Sequence, residues 1–266
     1  MNIISLGAGV QSTVMALMAA HGEIEPMPDC AIFADTGWEP QAIYEHLDWL
    51  ETQLPFPVYR VSGGNIRSDI INSTKRKKAN LAHTPFYVEG GGLGRRQCTR
   101  VYKIDPIRRK IRELLGVSKG KRVPKHLSVE QWIGISTDEA TRMKPSWDKW
   151  CENRWPLIEA DMSRQNCINW FEKKHTGRKL EQSSCIGCPF HNDVLWRELK
   201  INHPAEFADA AGVDKKLRTE SPLGGMKKMQ FMHRSLKPLD EVDLRNLEDM
   251  GQLNMFNNEC EGMCGV

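Results

Sequence analysis

The sequence predicts an α/β protein in which helices cover both faces of a doubly wound, mostly parallel sheet, with a small mixed C-terminal extension. Short apolar segments of strand character alternate with segments whose apolar residues recur at helical spacing. The strands are expected at residues 2–6, 30–34 and 57–61, and the helices at residues 12–21 and 41–53. Strands and helices that alternate at this interval are typical of a parallel sheet with a helical layer on each side.

Beyond residue 61 this alternation is interrupted. Residues 62–100 are rich in glycine and basic residues, and we expect a long loop there, of the kind that is usually functional. A further strand is expected at residues 131–135, and further helices at residues 105–115, 163–173, 193–203 and 239–249. We therefore expect residues 1–190 to form the main domain and residues 191–266 to form a helical extension with a cysteine-containing tail.

The charge of the chain is distributed unevenly. Residues 60–125 contain 18 Lys and Arg but 4 Asp and Glu, a net charge of +14, whereas the remaining residues carry −11 and the whole chain +3. Such a concentration of basic side chains favours an anionic partner, either nucleotide phosphates or a nucleic-acid backbone. For any single basic cluster, such as residues 75–78, a solvated charged face is the alternative interpretation.

Neither a membrane segment nor a secretory signal is expected. No apolar run approaches the roughly 20 residues that a membrane-spanning helix needs. The first residues, Met1–Ser5, begin directly with a strand-like segment and lack the basic start and cleavage site of a signal peptide. The sequence therefore predicts a cytoplasmic protein without a membrane partner.

A turn of small residues joins the first strand to the first helix. It contains Gly7, Ala8 and Gly9, and the helix that follows begins with the hydroxyl residues Ser12 and Thr13. Small residues allow phosphate oxygens to approach the backbone, and the N–H groups at the helix start can bind an anion. The turn lacks the Gly-Lys-Ser/Thr of a Walker A loop and the glycine pattern of a dinucleotide fingerprint. By itself it is a weak signal.

Four segments together carry a resemblance to a known superfamily. Gly7–Ser12 resembles a variant of the PP-loop, Ser-Gly-Gly-x-Asp-Ser, and Phe33–Trp38 resembles an Asp-Thr-Gly signature that follows the second strand. Gly134–Arg142 is similar to a later Gly-φ-x-x-x-Glu-x-x-Arg segment, in which φ is apolar, and Trp155–Ile158 to an apolar Pro-Leu turn. Over residues 2–190, the chain resembles the PP-loop ATP pyrophosphatases and PAPS reductases, an adenine nucleotide alpha hydrolase-like superfamily.

This resemblance implies a nucleotide-binding domain over residues 1–190 and ATP or a related adenine nucleotide as its ligand. The implied nucleotide-binding residues are Gly7, Ala8, Gly9, Ser12, Thr13, Asp35, Thr36 and Gly134. Asp35 would accept from a ribose hydroxyl or hold Mg²⁺, and its alternative role is that of a turn residue. Arg142 would stabilise charge on a phosphate or sulfate, whereas Asp138 and Glu139 are candidate caps of the following helix.

Two positions of the turn depart from the PP-loop pattern. Gln11 stands where the family has an acidic residue, and Val10 occupies a position that is often Lys. Both departures weaken the case for adenylation assisted by Mg²⁺. Nucleotide binding is less affected, because the reductase branch tolerates a looser loop.

Paired cysteine spacings point to a metal or redox centre. Cys185 and Cys188 form a Cys-x-x-Cys turn, and Cys98 lies among basic residues that would stabilise a thiolate. Resemblance to cluster-bearing sulfonucleotide reductases, which often carry adjacent cysteines at the position of Cys98, implies a [4Fe–4S] cluster. Its ligands would be Cys98, Cys185, Cys188 and a tail cysteine, either Cys260 or Cys264. A zinc site, and a cluster on three cysteines with an open iron, are the alternatives.

The C-terminal tail also resembles a catalytic segment. Sulfonucleotide reductases carry a nucleophilic cysteine in a mobile Glu-Cys-Gly-x-His tail, and Glu259–Cys260 and Cys264–Gly265 each match half of it, without the His. Cys264 and Cys260 are therefore candidate catalytic thiols. The other cysteines, Cys30, Cys151 and Cys167, are interpreted as small buried hydrophobic residues.

These features lead to three functional hypotheses. The first is an iron–sulfur enzyme that uses ATP to transfer sulfur to a nucleic-acid or nucleotide acceptor, with tRNA or DNA bound through residues 60–125. The second is a reductase of APS or PAPS, and the third a non-catalytic nucleotide-binding redox sensor. A homodimer is the oligomeric state we consider.

Overall fold

The computed structural model describes residues 1–74, 84–219 and 228–245. Its centre is a five-stranded parallel sheet, and two short strands pair separately in antiparallel fashion. The strands are β1 (Asn2–Leu6), β2 (Cys30–Asp35), β3 (Val58–Ser62), β4 (Tyr87–Val88), β5 (Val129–Ile133), β6 (Cys151–Arg154) and β7 (Gln230–Phe231). The order in the large sheet is β3-β2-β1-β5-β6, and β4 pairs with β7.

Helices connect these strands and continue beyond the last strand of the large sheet. They are α1 (Val10–Ala20), α2 (Gln41–Gln53), α3 (Ile66–Thr74), α4 (Asp105–Leu114), α5 (Pro156–Glu159), α6 (Arg164–Lys174), α7 (Asp193–Asn202) and α8 (Pro204–Thr219). A π-helical turn spans Thr99–Ile104, and 3₁₀ segments span Thr137–Arg142 and Leu239–Glu241. Among the described helices, none combines the length and the apolar character needed to cross a membrane.

Alternate residues of the central strands enter separate cores on the two faces of the sheet. On one face Ile4 of β1 packs with α1, α2 and α6, in a core that includes Leu47 and Phe171. On the other face Ile3 packs against α4 through Ile107. Because neighbouring strand residues point to opposite faces and both faces are covered, β1 and β2 are apolar except for Asn2, Ser5 and Asp35. The predicted doubly wound α/β fold is therefore confirmed.

A third core joins the C-terminal helices to the carboxyl side of the sheet. It contains Trp196 and Phe207 from α7 and α8 together with Trp38, Ile66 and Tyr102 from the first half of the chain. Asp209 on α8 accepts hydrogen bonds from the Trp38 indole at 2.8 Å and from the Arg67 guanidinium. The domain boundary at residue 190 stays a prediction.

Two of the predicted elements are wrong. The expected loop over residues 62–100 contains α3 and β4, with residues 75–83 outside the described part. Helix α3 buries only Ile66 and Ile70 of its first two turns, and two apolar residues among polar neighbours give too weak a periodicity to predict a helix. The expected helix at residues 239–249 is a single 3₁₀ turn followed by non-helical residues 242–245, and residues 246–249 lie outside the described part.

A buried polar contact links the helix after the glycine turn to the next helix. Thr13 of α1 lies 3.0 Å from Nε2 of His46 on α2, and both side chains are almost completely buried. Burial, together with a smaller effect of the positive charge of Arg178, lowers the pKa of His46 to about 4. His46 is therefore neutral in the folded protein at pH values at which the unfolded chain is protonated.

This depressed pKa predicts that stability falls as pH decreases from 6.5 towards 4. In that range the unfolded state binds the additional proton, so acidification favours unfolding, with a loss on the order of 1–2 kcal/mol by pH 5. Urea unfolding at a series of pH values should show this slope, and His46→Gln should reduce it. Some slope remains in the variant because burial also lowers the pKa of His175. His126→Gln, at an exposed site, is the control, and an equal slope in both variants would contradict the assignment.

Candidate functional site

The candidate site lies where the strand order changes direction. The chain moves outward from β1 to β2 and β3 on one side, and to β5 and β6 on the other. In open α/β sheets, the segments that leave the carboxyl ends of two such central strands diverge and leave a crevice for a ligand. Here the two segments are the glycine turn after β1 and the residues after β5.

The backbones of the two segments are in direct contact. A Cβ atom on Gly134, which directly follows β5, would lie 2.9 Å from the backbone nitrogen of Ser12 and 3.0 Å from its Cα. Real Cβ atoms do not approach backbone atoms this closely. Gly134 thus allows the start of α1 to pack against the end of β5, and any side chain would displace the turn.

The glycine turn is held in shape by its own polar groups. The Ser12 hydroxyl accepts a hydrogen bond from the Gly7 nitrogen at 3.1 Å and donates to the Gly9 oxygen at 3.3 Å. Ala8 is fully buried and has a left-handed φ of 55°, a conformation that costs a non-glycine residue about 1–2 kcal/mol. Gly9 occupies the N-cap position of α1, and no side chain caps the helix there. Successive N–H groups in such a turn are typical of anion sites.

A cavity of about 730 Å³ opens at this crevice. Its size is within the range of small-molecule and cofactor sites. The walls include the turn and the residue after β5, represented by Gly7, Gly9, Ser12 and Gly134, and the apolar side chains of Leu6 and Phe33. The predicted Gly7, Gly9, Ser12 and Gly134 are therefore brought together in one cavity. Ala8 and Thr13 are fully buried, and the Thr13 hydroxyl faces His46.

Basic side chains outnumber acidic ones around the cavity. The basic residues that line it are Arg96, Arg100, Lys103, Arg108, Arg142, Lys144 and Arg164, and the acidic ones are Asp105, Asp138, Glu139 and Asp148. Four of the basic residues have an acidic partner. Arg142 lies 2.5 Å from Glu139, and Arg108 contacts Asp148. Arg100 lies 3.9 Å from Asp105, and Lys103 lies 3.7 Å from Glu39. The remaining excess of positive charge favours an anionic ligand.

Gln11 connects charged groups from distant segments to the turn. Its amide nitrogen donates to Glu139 at 3.2 Å, and its amide oxygen accepts from Arg164 at 3.0 Å. The amide that replaces the acidic residue of the PP-loop thus keeps a carboxylate and a guanidinium next to the turn. Ser163 caps α6 through a capping box with Asn166, and Asp138 accepts a further hydrogen bond from the Arg164 nitrogen at 2.8 Å. Sequence patterns gave no indication of Arg164.

Asp35 and Thr36 belong to a turn beside the cavity. One oxygen of Asp35 accepts from the Gly37 nitrogen at 2.7 Å and from the Tyr44 hydroxyl at 2.8 Å. Burial raises the pKa of Tyr44, and the hydrogen bond to Asp35 raises it further, so the phenol remains a neutral donor. Among the described residues that line the cavity, Phe33 and Ala34 are present but Asp35 and Thr36 are not. A ribose or Mg²⁺ contact of Asp35 stays a prediction.

The Cys-x-x-Cys segment packs directly against the glycine turn. A Cβ atom on Gly9 would lie 3.2 Å from the Cβ of Ser183, two residues before Cys185. The Cys188 nitrogen donates to the Cys185 oxygen at 3.1 Å, which makes the tight bend, and Gly187 lies against the Trp38 ring. The glycine turn and the Cys-x-x-Cys turn are therefore immediate neighbours.

Cys185 lies among polar side chains that the sequence did not associate with it. Its sulfur is 3.3 Å from the Thr36 hydroxyl and 3.6 Å from Oε1 of Glu39. Glu39 is only 3% exposed, and the Lys103 ammonium lies 3.7 Å from it. The carboxylate and the ammonium give the thiol both a hydrogen-bond acceptor and a nearby positive charge.

Cys98 lies in the same region as Cys185. Burial raises the pKa of Tyr102, as does its hydrogen bond to Asp69, and the neighbouring Cys98 and Cys185 both add to the effect. The two cysteines are thus close to one phenol ring. Within the described part of the chain, however, no three His, Cys, Asp or Glu side chains are arranged to hold a metal ion. The predicted ligand and catalytic thiols Cys260 and Cys264 lie outside the described residues.

The cysteines interpreted as hydrophobic residues have the properties of inert thiols. Burial raises the pKa of Cys30 to about 11 and that of Cys167 to about 12. Cys151 is half-buried, and burial also raises the pKa of its thiol. A thiol with a raised pKa supplies little thiolate at neutral pH.

Comparison with known families gives one match. The family model described as the phosphoadenosine phosphosulfate reductase domain matches residues 1–140, more than half of the chain. The matched part includes the glycine turn, the Asp-Thr-Gly turn, Cys98 and Gly134. No curated protein matches the chain.

The contact of Gly134 with Ser12 predicts a selective effect of a single methyl group. Gly134→Ala should weaken ATP binding at least tenfold, measured by calorimetry, because the new Cβ would displace the backbone at the start of α1. Gly212→Ala is the matched control, since nothing lies within 4 Å of the Cβ that it would add on α8. If Gly134→Ala bound ATP as well as Gly212→Ala does, the glycine turn would not be the nucleotide site.

Proposed function

The chain belongs to the phosphoadenosine phosphosulfate reductase domain family, whose members are typically nucleotide-binding enzymes of sulfur metabolism, and on this premise we propose that it uses ATP to transfer sulfur. The acceptor is a nucleic acid or a nucleotide. One observation carries the proposal. The glycine turn, the Gly134 contact and an excess of basic side chains meet in one cavity of about 730 Å³.

The cavity suits a polyphosphate better than a single anionic group. Arg142 and Arg164 lie on the side of Gln11, whereas Arg96, Arg100 and Lys103 come from the segment around the π-helical turn. Basic groups on separate elements can contact successive phosphates, while the backbone of the turn contacts one of them.

The reaction we propose has two displacements. In the first, an oxygen of the acceptor attacks the α-phosphorus of ATP, the bond to the β-phosphate oxygen breaks, and pyrophosphate leaves. In the second, a hydrosulfide ion supplied by a sulfur donor attacks the acceptor carbon, the carbon–oxygen bond breaks, and AMP leaves with the oxygen. Positive side chains at fixed positions favour both steps because negative charge accumulates on the leaving groups.

Mg²⁺ is compatible with the carboxylates of the site. This ion usually takes one or two protein carboxylates and completes its octahedron with phosphate and water oxygens. Asp138 and Glu139 line the cavity and would hold it. There it would neutralise phosphate charge and orient the chain of phosphates.

A [4Fe–4S] cluster on Cys98, Cys185, Cys188 and Cys260 is the cofactor part of the proposal. It is supported by the family resemblance and by the packing of Cys98 against the core that contains Ile186, the residue after Cys185. The described side chains do not form a ligand set by themselves, since Cys185 is hydrogen-bonded to Thr36 and no group of three ligands is present among them. We therefore derive no step through a cluster. Among the described cysteines, Cys185 is the one whose thiol lies beside a buried carboxylate, that of Glu39, and we consider it the candidate for contact with the sulfur donor.

A sulfonucleotide reductase is the second candidate, and the family match favours it. In that reaction a cysteine thiolate attacks the sulfur of APS or PAPS, the nucleotide leaves, and a second thiol releases sulfite from the resulting thiosulfonate. The candidate nucleophiles are Cys264 and Cys260. Sulfite released from APS or PAPS, with no pyrophosphate from ATP, would replace the first proposal by this one.

Pyrophosphate release tests the leading proposal. With γ-labelled ATP, and with mixed tRNA or single-stranded DNA as acceptor, the protein should release labelled pyrophosphate. Arg142→Ala should lower this rate about tenfold to a hundredfold, because it removes a charge that lines the cavity. Lys173→Ala removes an exposed charge from α6, outside residues 60–125, and should leave the rate unchanged. Tight ATP binding with no AMP or pyrophosphate in the presence of any acceptor would instead favour a non-catalytic sensor.

Metal analysis tests the cofactor separately. Protein purified without oxygen should contain iron and acid-labile sulfide, and Cys98→Ser, Cys185→Ser and Cys188→Ser should each lower the iron content strongly. Cys151→Ser, at a half-buried cysteine outside this group, should retain the iron. Zinc in place of iron, or iron that is unaffected by all three substitutions, would contradict the cluster.

A further inference from the structure

The side chain of Trp147 is exposed to an unusual degree for an aromatic residue. It borders the cavity and nevertheless leaves 98% of its surface exposed. An indole ring is among the largest apolar surfaces that a protein can bury, and leaving it in water forfeits that stabilisation. Trp147 therefore stands at the mouth of the cavity with its ring open to a ligand.

The loop that carries Trp147 is well anchored on both sides. The Lys144 oxygen accepts from the Asn153 side chain of β6 at 2.8 Å, and the Ser146 hydroxyl accepts from the Asp148 nitrogen at 3.2 Å. The Asp148 carboxylate is paired with Arg108 of α4. These contacts fix the backbone immediately before and after the ring. The backbone thus holds Trp147 in its exposed position before a ligand binds, and this reduces the entropy that is lost when a ligand stacks on the ring.

Basic side chains line the same cavity as the Trp147 ring. Arg100, Arg108 and Lys144 line the cavity, and the side chains of Arg100 and Arg108 are 76% and 45% exposed. An open aromatic face beside accessible cations is the combination with which proteins bind single-stranded nucleic acids, since bases stack on the ring while cations contact the backbone. An apolar peptide would use the ring but would gain nothing from the cations.

We propose that Trp147 is a stacking platform for an unpaired base of a nucleic-acid acceptor, held at the entrance to the nucleotide cavity. This inference rests on the proposed function and specifies its acceptor. ATP can be held inside the cavity by the glycine turn and the basic residues of its walls, whereas a ring at the mouth is open to a second molecule. A base can lie flat on the indole only if its own face is free, so the acceptor is single-stranded or presents an extruded base.

Binding of a fluorescein-labelled single-stranded RNA of about 12 nucleotides, followed by anisotropy, tests this inference. Trp147→Ala should weaken binding roughly tenfold to a hundredfold, while Trp147→Phe should retain most of it because a ring remains. The same RNA in a duplex should bind more weakly than the single strand to the wild-type protein. Met27→Ala is the control, since Met27 is 48% exposed and precedes β2 at the amino end of the parallel strands, whereas the cavity lies at their carboxyl ends.

Calorimetry with ATP distinguishes the failure of this inference from that of the proposed function. Trp147→Ala should bind ATP as the wild type does. An equal loss of ATP affinity would assign the ring to the nucleotide itself, and unchanged RNA binding, or no RNA binding by the wild type, would overturn the platform. If RNA binding depends on Trp147 but no pyrophosphate is released, the result supports the stacking role of Trp147 and contradicts the proposed sulfur-transfer reaction.

Discussion

The contact between the backbone at the start of α1 and the residue after β5 is the constraint on which the site depends. Gly134 has no side chain, and this allows the two segments that diverge from the central strands to touch. Gly9 makes a similar approach to Ser183 on the other side of the turn. The glycine turn is therefore enclosed between the end of β5 and the cysteine segment, and these two close contacts position one wall of the cavity.

The charges of the site are arranged around a neutral residue. In the PP-loop pattern an acidic side chain stands in the turn, whereas here Gln11 uses both ends of its amide, one towards Glu139 and one towards Arg164. The acid is thus moved from the turn to the segment after β5, where it also pairs with Arg142. Gln11 removes the acidic residue from the sequence motif, but the folded chain still places the carboxylate of Glu139 beside the turn.

The cysteines illustrate how environment separates chemically identical groups. Cys30 and Cys167 lie in the two cores beside the sheet, and burial raises the pKa of both thiols. Cys185 lies instead between Thr36 and the buried Glu39, with Lys103 nearby. Spacing in the sequence identified Cys185 as distinctive, but it gave no reason to associate Glu39 with it, because a carboxylate 146 positions away can be assigned only from the fold.

The sequence alone determined the parallel sheet, the glycine turn and the family, because strand and helix periods and local turn chemistry are properties of neighbouring residues. Elements with weak local signals were missed: α3 buries two isoleucines, and α8, which begins at Pro204, follows α7 almost without interruption. Only the tertiary structure decided which side chains meet. Arg164, Glu39 and Trp147 acquire their partners or their exposure from elements far apart in the chain, and no local pattern of residues encodes such distances.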